Sequence, residues 1–272
     1  MSFQSNVTDR RPRREKFKQE IALISGGFAC PSAFPGGKIT VYPWDSTIDA
    51  WLNDAATKSS GPEREILLYQ LMAKVCNLNG CKLDDFVIGD VNTVLLVARS
   101  IANQNKIQYL TACPKCGHQE MAEVLVPNEL TPIAPKTADY KGTDLVTLDE
   151  GKDKVSVRPL RVRDEIAIAS RPPEAKEHIS SHVAHVLAPV VSINDGQPDR
   201  LDDLLEWYLA LSPHDAKQLE DFIEEASPHL SQELPHKCDE CGNSWFHRMV
   251  LDQEFFRSGR MGAARKPVEA NL

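Results

Sequence analysis

Hydrophobic residues recur along the first hundred positions of this chain mostly with the period of an α-helix. The pattern predicts one helix over about residues 47–56, a second that begins at Pro62 and a third that opens at Asp90. Ahead of them, residues 38–42 alternate between polar and apolar side chains, which is typical of a short β-strand. We therefore expect a strand followed by a small helical layer.

The middle of the chain combines both patterns. Alternation over residues 145–148 and 154–158, on either side of a polar turn, predicts a β-hairpin. Helices are predicted after it over residues 164–169, 174–187, 201–211 and 213–226. Ser212 and Pro213 supply the N-cap and the first helical residue of the last helix. This region is thus predicted to be an α/β unit.

Two Cys-x-x-Cys-Gly motifs, which we call knuckles, lie on either side of this α/β unit. The first is Cys113-Pro-Lys-Cys116-Gly117 and the second is Cys238-Asp-Glu-Cys241-Gly242. Each knuckle lies between two short segments of alternating polar and apolar residues. Each is therefore predicted to be the tip of a β-hairpin.

The chemistry of the knuckles predicts a metal site. Two thiolates separated by two residues fold around one ion, and four thiolates complete a tetrahedral zinc site. We therefore predict one structural Zn²⁺ per chain, bound by Cys113, Cys116, Cys238 and Cys241. His118 is a competing ligand that we expect outside the coordination shell. Redox exchange is disfavoured, because both motifs are flanked by strands and the motif is doubled.

The predicted fold class is α+β: a helical layer plus a split zinc ribbon with four cysteine ligands, and a large α/β insert between its two knuckles. We expect disorder in a basic arm, residues 1–25, and in a basic tail, residues 258–272. The parts between them are the strand and helical region (26–104), the split zinc ribbon (105–127 and 229–257) and the insert (128–228).

Charge and composition narrow the class of protein. The formal net charge of the 272 residues is −8, and basic residues are concentrated at the two ends. An acidic body, with Asp239 and Glu240 inside the second knuckle, argues against nucleic-acid binding. Lys115 and the basic ends are compatible with nucleic-acid binding, so a zinc-ribbon nucleic-acid-binding regulator is the alternative.

The chain has no apolar run of about 18 residues and no signal-peptide pattern, so no membrane span is expected.

Three of the seven cysteines, Cys30, Cys76 and Cys81, lie outside the knuckles. An odd set of three is a poor disulfide framework, so we expect reduced thiols, as in a cytoplasm.

Three histidines form the remaining candidate site. His178, His182 and His185 have the spacing i, i+4, i+7, which places them along one side of the helix predicted over residues 174–187. A catalytic metal there would make the protein a metallohydrolase. The order differs from His-Glu-x-x-His, and the neighbouring apolar stripe accounts for the helix, so we expect no such site. With no other catalytic motif in the sequence, the protein is predicted not to be an enzyme.

Several segments carry a family likeness in addition to the knuckles. They are the segment 31–43 with Phe34-Pro-Gly-Gly-Lys-Ile-Thr-Val-Tyr-Pro43, the segment 83–99 with Leu83-Asp84-Asp85-Phe86, and the segment 251–256. In this order, residues 30–257 resemble the baseplate hub subunit and hub assembly protein family of contractile-tailed, T-even-like bacteriophages.

The resemblance implies a non-enzymatic component, or an assembly factor, of the central hub of a tail baseplate. Its partners would be other phage tail and baseplate proteins, with no small-molecule substrate. It would be found in the virion and, during assembly, in the cytoplasm of the bacterial host. The basic N-terminal arm departs from the family pattern. The segment 158–162 and its following helices also resemble tail assembly chaperones, which are the weaker alternative.

Overall fold

The computed structural model describes residues 15–58, 66–102, 104–133, 142–172, 174, 179–198, 201–231 and 233–248. Its elements in chain order are β1 (Gln19–Ala22), β2 (Lys38–Val41), α1 (Ser46–Lys58), α2 (Leu67–Val75), α3 (Ile88–Ile101), β3 (Lys106–Ala112), β4 (Gln119–Leu125), β5 (Pro132–Ile133), β6 (Asp144–Thr147), β7 (Lys154–Val157), α4 (Val162–Ala169), α5 (Ser181–Leu187), β8 (Val190–Ile193), α6 (Leu201–Ala210), α7 (Pro213–Ala226), β9 (His229–Leu230), β10 (Glu233–Lys237) and β11 (Ser244–Arg248). Every strand pairing among them is antiparallel. The predicted α+β class is confirmed.

Helix α3 lies at the centre of the first core. Ten of its fourteen residues are buried, as expected of a helix that neighbours cover on nearly all sides. The β1–β2 hairpin, α1 and α2 pack around it, and the core continues into the hairpins that carry the knuckles through Ile107, Tyr109, Val124 and Leu234. The helical layer and the base of the ribbon therefore share one hydrophobic core.

The insert has a core of its own. Strands β6, β7 and β8 form a three-stranded sheet in that order, and α5, α6 and α7 contribute to the same apolar cluster, which includes Leu148, Val155, Leu187 and Leu219. Asp215, in the first turn of α7, accepts hydrogen bonds from the backbone amides of Glu150 and Gly151, at 3.0 and 2.7 Å. These bonds tie the β6–β7 turn to the helix.

Most of the predicted elements are present within one or two residues of their expected bounds. The N-cap of α7 is Ser212, whose hydroxyl accepts a hydrogen bond from the amide of Asp215, and Pro213 is the first helical residue. Helix α3 begins two residues before Asp90. Strand β8 was not predicted. The predicted start of α2 at Pro62 lies outside the described residues.

The predicted continuous helix over residues 174–187 is wrong. Ile179 and Ser180 are not helical, and α5 starts at Ser181. The Ser180 hydroxyl accepts a hydrogen bond from the amide of Val183, which makes Ser180 an N-cap. A serine side chain that caps a helix favours a helix start over a helix interior, so the helix begins here although the apolar stripe from Ile179 to Leu187 has helical spacing.

Two further expectations need correction. Residues 15–25, assigned to the disordered arm, are structured: β1 pairs with β2, and Ile21 packs against the core. Cys30 and Cys81, expected to be reduced, are joined in a disulfide with 6.0 Å between their Cα atoms. Cys76 is a buried free thiol, as expected. The remaining domain boundaries stay predictions.

Candidate metal centre

Each knuckle is the tip of a two-stranded hairpin, one formed by β3 and β4 and the other by β10 and β11. In the first knuckle, the amide of Cys113 donates to the carbonyl of His118 at 2.8 Å, and that of Gly117 donates to the carbonyl of Cys113 at 2.9 Å. The second knuckle repeats both bonds at the equivalent residues and the same distances. The two tips therefore have the same backbone conformation.

The glycine of each knuckle is required by the turn. Gly117 has a φ of 75° and Gly242 a φ of 68°, in the left-handed region that residues with a Cβ rarely adopt. An added Cβ would meet no atom within 4 Å at either position, so the constraint is conformational rather than steric.

The two tips bring the four predicted sulfur ligands together. All four Sγ atoms of Cys113, Cys116, Cys238 and Cys241 lie within 4.8 Å of one another. Two pairs that link the knuckles, Cys113 to Cys241 and Cys116 to Cys238, are separated by 3.7 and 3.6 Å. A tetrahedron of sulfurs about 2.3 Å from zinc has edges of about 3.8 Å, whereas a disulfide needs about 2.05 Å. The cluster can therefore hold a metal ion.

The electrostatics of the cluster favour a bound cation. Burial opposes ionisation of Cys113, but hydrogen bonds from the backbone of Cys116 and Lys115 outweigh it and lower the pKa of Cys113 to about 6. For Cys116, a hydrogen bond from the backbone of His118 favours the thiolate, but burial and hydrogen bonds with the other thiols raise the pKa to about 12. Like charges this close disfavour one another, so four thiolates need a cation between them.

Below the sulfurs, the two hairpins pack face to face through a cluster of rings. The Tyr109 hydroxyl is 2.5 Å from Nε2 of His236, and the Tyr109 ring stacks on His247 with 4.9 Å between ring centroids. His247 Nδ1 is 3.2 Å from the Thr111 hydroxyl, and His236 stacks on Trp245. These contacts hold the four sulfurs in place from the side opposite the knuckle tips.

The ring cluster favours neutral histidines. Burial lowers the pKa of His236, and burial together with the charge of a protonated His236 lowers the pKa of His247. Burial also raises the pKa of Tyr109 to about 12, so its hydroxyl stays protonated. This cluster was not predicted from the sequence. The sequence feature that could have indicated the cluster is the alternation that places Tyr109 and Thr111 on one face of β3.

Comparison with known proteins identifies the family of the chain. A family model described as "T4 bacteriophage base plate protein" matches residues 54–257, which is three quarters of the sequence. The chain belongs to this base plate protein family. The match includes both knuckles and the whole insert, and it does not single out the hub. Comparisons with curated proteins and with solved structures found no match.

Of the three candidate histidines, for which the sequence predicts no metal site, His182 and His185 lie among the described residues of this base plate protein. His182 Nε2 is 3.3 Å from Glu220 Oε1, while the two ring nitrogens of His185 are 2.6 Å from the Ser181 carbonyl and 3.1 Å from Glu165. Neither belongs to a described cluster of three or more metal-ligating side chains. His178 lies outside the described residues.

The competing ligand candidate, His118, contributes its backbone to the first knuckle, and its side chain is not part of the described sulfur cluster.

A separate cavity of about 680 Å³ lies where α3, the insert and the ribbon meet, and His185 and His229 line it.

Among the described helices of the base plate protein, none combines the length and the apolar character needed to cross a membrane.

Proposed function

We propose that this base plate protein is a non-enzymatic structural subunit of the central hub of a contractile-tail baseplate, and that its four knuckle cysteines bind one structural Zn²⁺ per chain. One observation carries the proposal. In a chain that matches the base plate family over both knuckles, the cysteines join two hairpins across 122 to 128 residues. A metal ion bound by both knuckles would cross-link the two ends of the chain segment that lies between them.

Zinc is the metal that best fits the four ligands. Thiolates are soft ligands that select zinc among the common divalent ions, and sulfur distances near 3.7 Å fit the tetrahedral geometry. The residues that would hold it are Cys113, Cys116, Cys238 and Cys241. When bound, the ion would neutralise the thiolates and cross-link β3–β4 to β10–β11.

The non-enzymatic role is supported by the closed donor set. A catalytic zinc keeps one coordination position for water or substrate, whereas four cysteines fill all four positions. The site would therefore stabilise the fold and leave no position for a reacting group. Assignment to the hub rests on the resemblance of residues 30–257 to hub subunits. Other tail and baseplate proteins are then its partners, first in the host cytoplasm and later in the virion.

Mass spectrometry of purified virions tests the role directly. A hub subunit is expected at a fixed copy number relative to other baseplate proteins, and imaging of the baseplate should place its density on the tail axis. Absence from mature particles would contradict the role of component and favour an assembly factor. A peripheral position in the baseplate would contradict the hub assignment and leave the family unchanged.

A further inference from the structure

The two hairpins of the ribbon pack through their inner faces, so their outer faces point in opposite directions. On the β3–β4 hairpin, Met121 is 65% exposed and lies directly opposite Leu110. On the β10–β11 hairpin, Phe246 is 68% exposed and lies opposite Pro235. We call these surfaces the first outer face and the second outer face. Each presents an apolar pair to solvent.

The two apolar pairs occupy equivalent positions. Leu110 and Pro235 each lie three residues before the first cysteine of their knuckle, and Met121 and Phe246 each lie five residues after the second. The shared backbone conformation of the knuckles gives both pairs the same place on their hairpins. The exposed apolar pair on each hairpin therefore gives both outer faces a small apolar centre that a contact could bury.

Charges at equivalent positions are opposite. Lys115 precedes the second cysteine of the first knuckle, where the second knuckle has Glu240, and all three of Lys115, Asp239 and Glu240 are exposed. Seven residues after the second cysteine, Glu123 on the first outer face corresponds to Arg248 on the second. Glu123 already pairs with Lys106 at 2.6 Å, so the charges at the knuckle tips carry most of the complementarity.

We propose that the first outer face of one copy of this chain binds the second outer face of another copy. The contact places Met121 against Phe246, and Lys115 beside Asp239 and Glu240. It is heterologous, because two different surfaces meet and each added copy leaves one of each free. Such a contact produces a ring or an open array. The proposal names a partner for the base plate protein, and it rests on the zinc-closed ribbon proposed above.

The size of the faces sets the expected strength of the contact. Each face is only two strands wide, which places the interface at the small end of specific contacts. We therefore expect a dissociation constant of roughly 10 to 100 μM for one contact, and stronger association once a ring closes.

Sedimentation velocity of the full-length, zinc-loaded chain tests the proposal through two single variants. Met121→Ser removes the first face and keeps the second, and Phe246→Ser does the reverse. Each variant alone is expected to be a monomer at about 200 μM, where the wild type associates. An equimolar mixture is expected to form a one-to-one dimer and nothing larger, because only one productive pair of faces remains.

Matched controls separate the contact from folding. Leu145, 64% exposed on β6, belongs to the three-stranded sheet of the insert and to neither outer face, so Leu145→Ser should associate like the wild type. Lys115→Glu should weaken association by roughly tenfold, because like charges then meet at the tips. Adding Glu240→Lys to that variant should restore association, because opposite charges meet at the tips again. A variant that had lost its fold would not recover association through a second substitution.

A wild-type chain that stays monomeric at all concentrations overturns the proposal. So does self-association of either single variant, since a face that binds a copy of itself is not heterologous. Each sample is also assayed for zinc. A monomeric chain with one zinc per chain refutes the contact and leaves the proposed function intact, whereas a wild type without zinc contradicts the proposed function itself.

Discussion

Gly89 and Gly117 are both fixed as glycine, for different physical reasons. A Cβ on Gly89, in the first turn of α3, would collide with the carbonyl of Pro228 just before β9. The atoms that this Cβ would meet, in Pro228 and His229, are all backbone, so the strand would have to move away from the helix. Gly117 has free space around it and only its φ of 75° is unfavourable for other residues.

We expect Gly89→Ala to lower the free energy of unfolding by about 3 kcal/mol or more, because overpacking against backbone cannot be relieved by a rotamer change. Gly117→Ala is expected to cost only about 1 to 2 kcal/mol, the strain of a left-handed residue. Urea denaturation of the two zinc-loaded variants measures both values. Equal losses of unfolding free energy in the two variants would contradict the close approach of α3 and β9.

Asp90 is a buried carboxyl group within the first core. Its side chain accepts hydrogen bonds from the hydroxyl and the amide of Ser25, at 2.5 and 3.0 Å. Burial raises the pKa of Asp90 to about 6, against the opposing effect of the Ser25 hydrogen bonds. The folded state therefore binds a proton more tightly than the unfolded chain, and the group stabilises the fold less as the pH rises from 4 through 6.

Asp90→Asn should remove this dependence, because an amide does not titrate and can keep both contacts with Ser25. The stability of the variant relative to the wild type is expected to increase by about 1 kcal/mol between pH 5 and pH 8. Urea denaturation of both proteins at the two pH values measures the difference. A stability difference that does not change with pH would contradict the raised pKa.

At the scale of elements, one side chain connects the strands of the insert to its helices. Asp215 is 1% exposed, and its carboxylate accepts hydrogen bonds from the backbone amides of Glu150 and Gly151. These hydrogen bonds, that of Glu150 first, lower the pKa of Asp215. The stability that they contribute is present at neutral pH and is lost as the pH falls below the ordinary range of an aspartate.

We expect Asp215→Ala to lower the melting temperature of the insert more than any exposed acidic substitution on α7, because two backbone amides of the β6–β7 turn lose their acceptor. Asp221→Ala is the matched control, since Asp221 is exposed and its described ion pair is with Lys217 on the same helix. Differential scanning calorimetry measures the melting temperatures of the two variants. Similar melting temperatures would show that the turn is not held by Asp215.

Elements that depend on local chemistry were predictable from the sequence. The knuckles follow from the spacing of cysteine and glycine, and the start of α7 follows from Ser212 and Pro213. The break at Ser180 was missed because the apolar stripe continues through it. Strand β1 was missed because the segment around it is rich in charge, although a half-buried strand needs only alternate apolar residues.

Contacts between distant segments could not be predicted in the same way. Tyr109 meets His236 across 127 residues, and Cys30 meets Cys81 across 51. Neither pairing leaves a local pattern, because the partners are brought together only by the packing of whole elements. The clustering of the two knuckles is the exception. It was predicted because four sulfurs match the coordination number of one ion.

At the scale of the molecule, the two larger hydrophobic cores of the described residues and the metal site have separate roles. The first core holds the helical layer and the base of both hairpins, and the second holds the insert. The insert lies between the two knuckles in sequence. A metal at the knuckles would therefore close the loop that contains the insert without contributing to either core.

Removal of zinc by a chelator is expected to loosen the ribbon and spare the insert. Hydrogen exchange should increase in residues 106–125 and 233–248, and should change little in the β6–β7–β8 sheet, which has its own core. Exchange measured by mass spectrometry before and after chelation resolves these segments. Equal loss of protection throughout the chain would contradict the separation of the two cores.

Zinc X-ray absorption spectroscopy of the purified full-length chain tests the central claim most directly. A closed site formed by both knuckles predicts one zinc per chain with four sulfur neighbours at about 2.3 Å and no lighter ligand. Cys238→Ser should replace at least one sulfur or lose the metal. A first shell with nitrogen or oxygen, or one with only two sulfurs, would contradict a zinc ribbon closed by both knuckles.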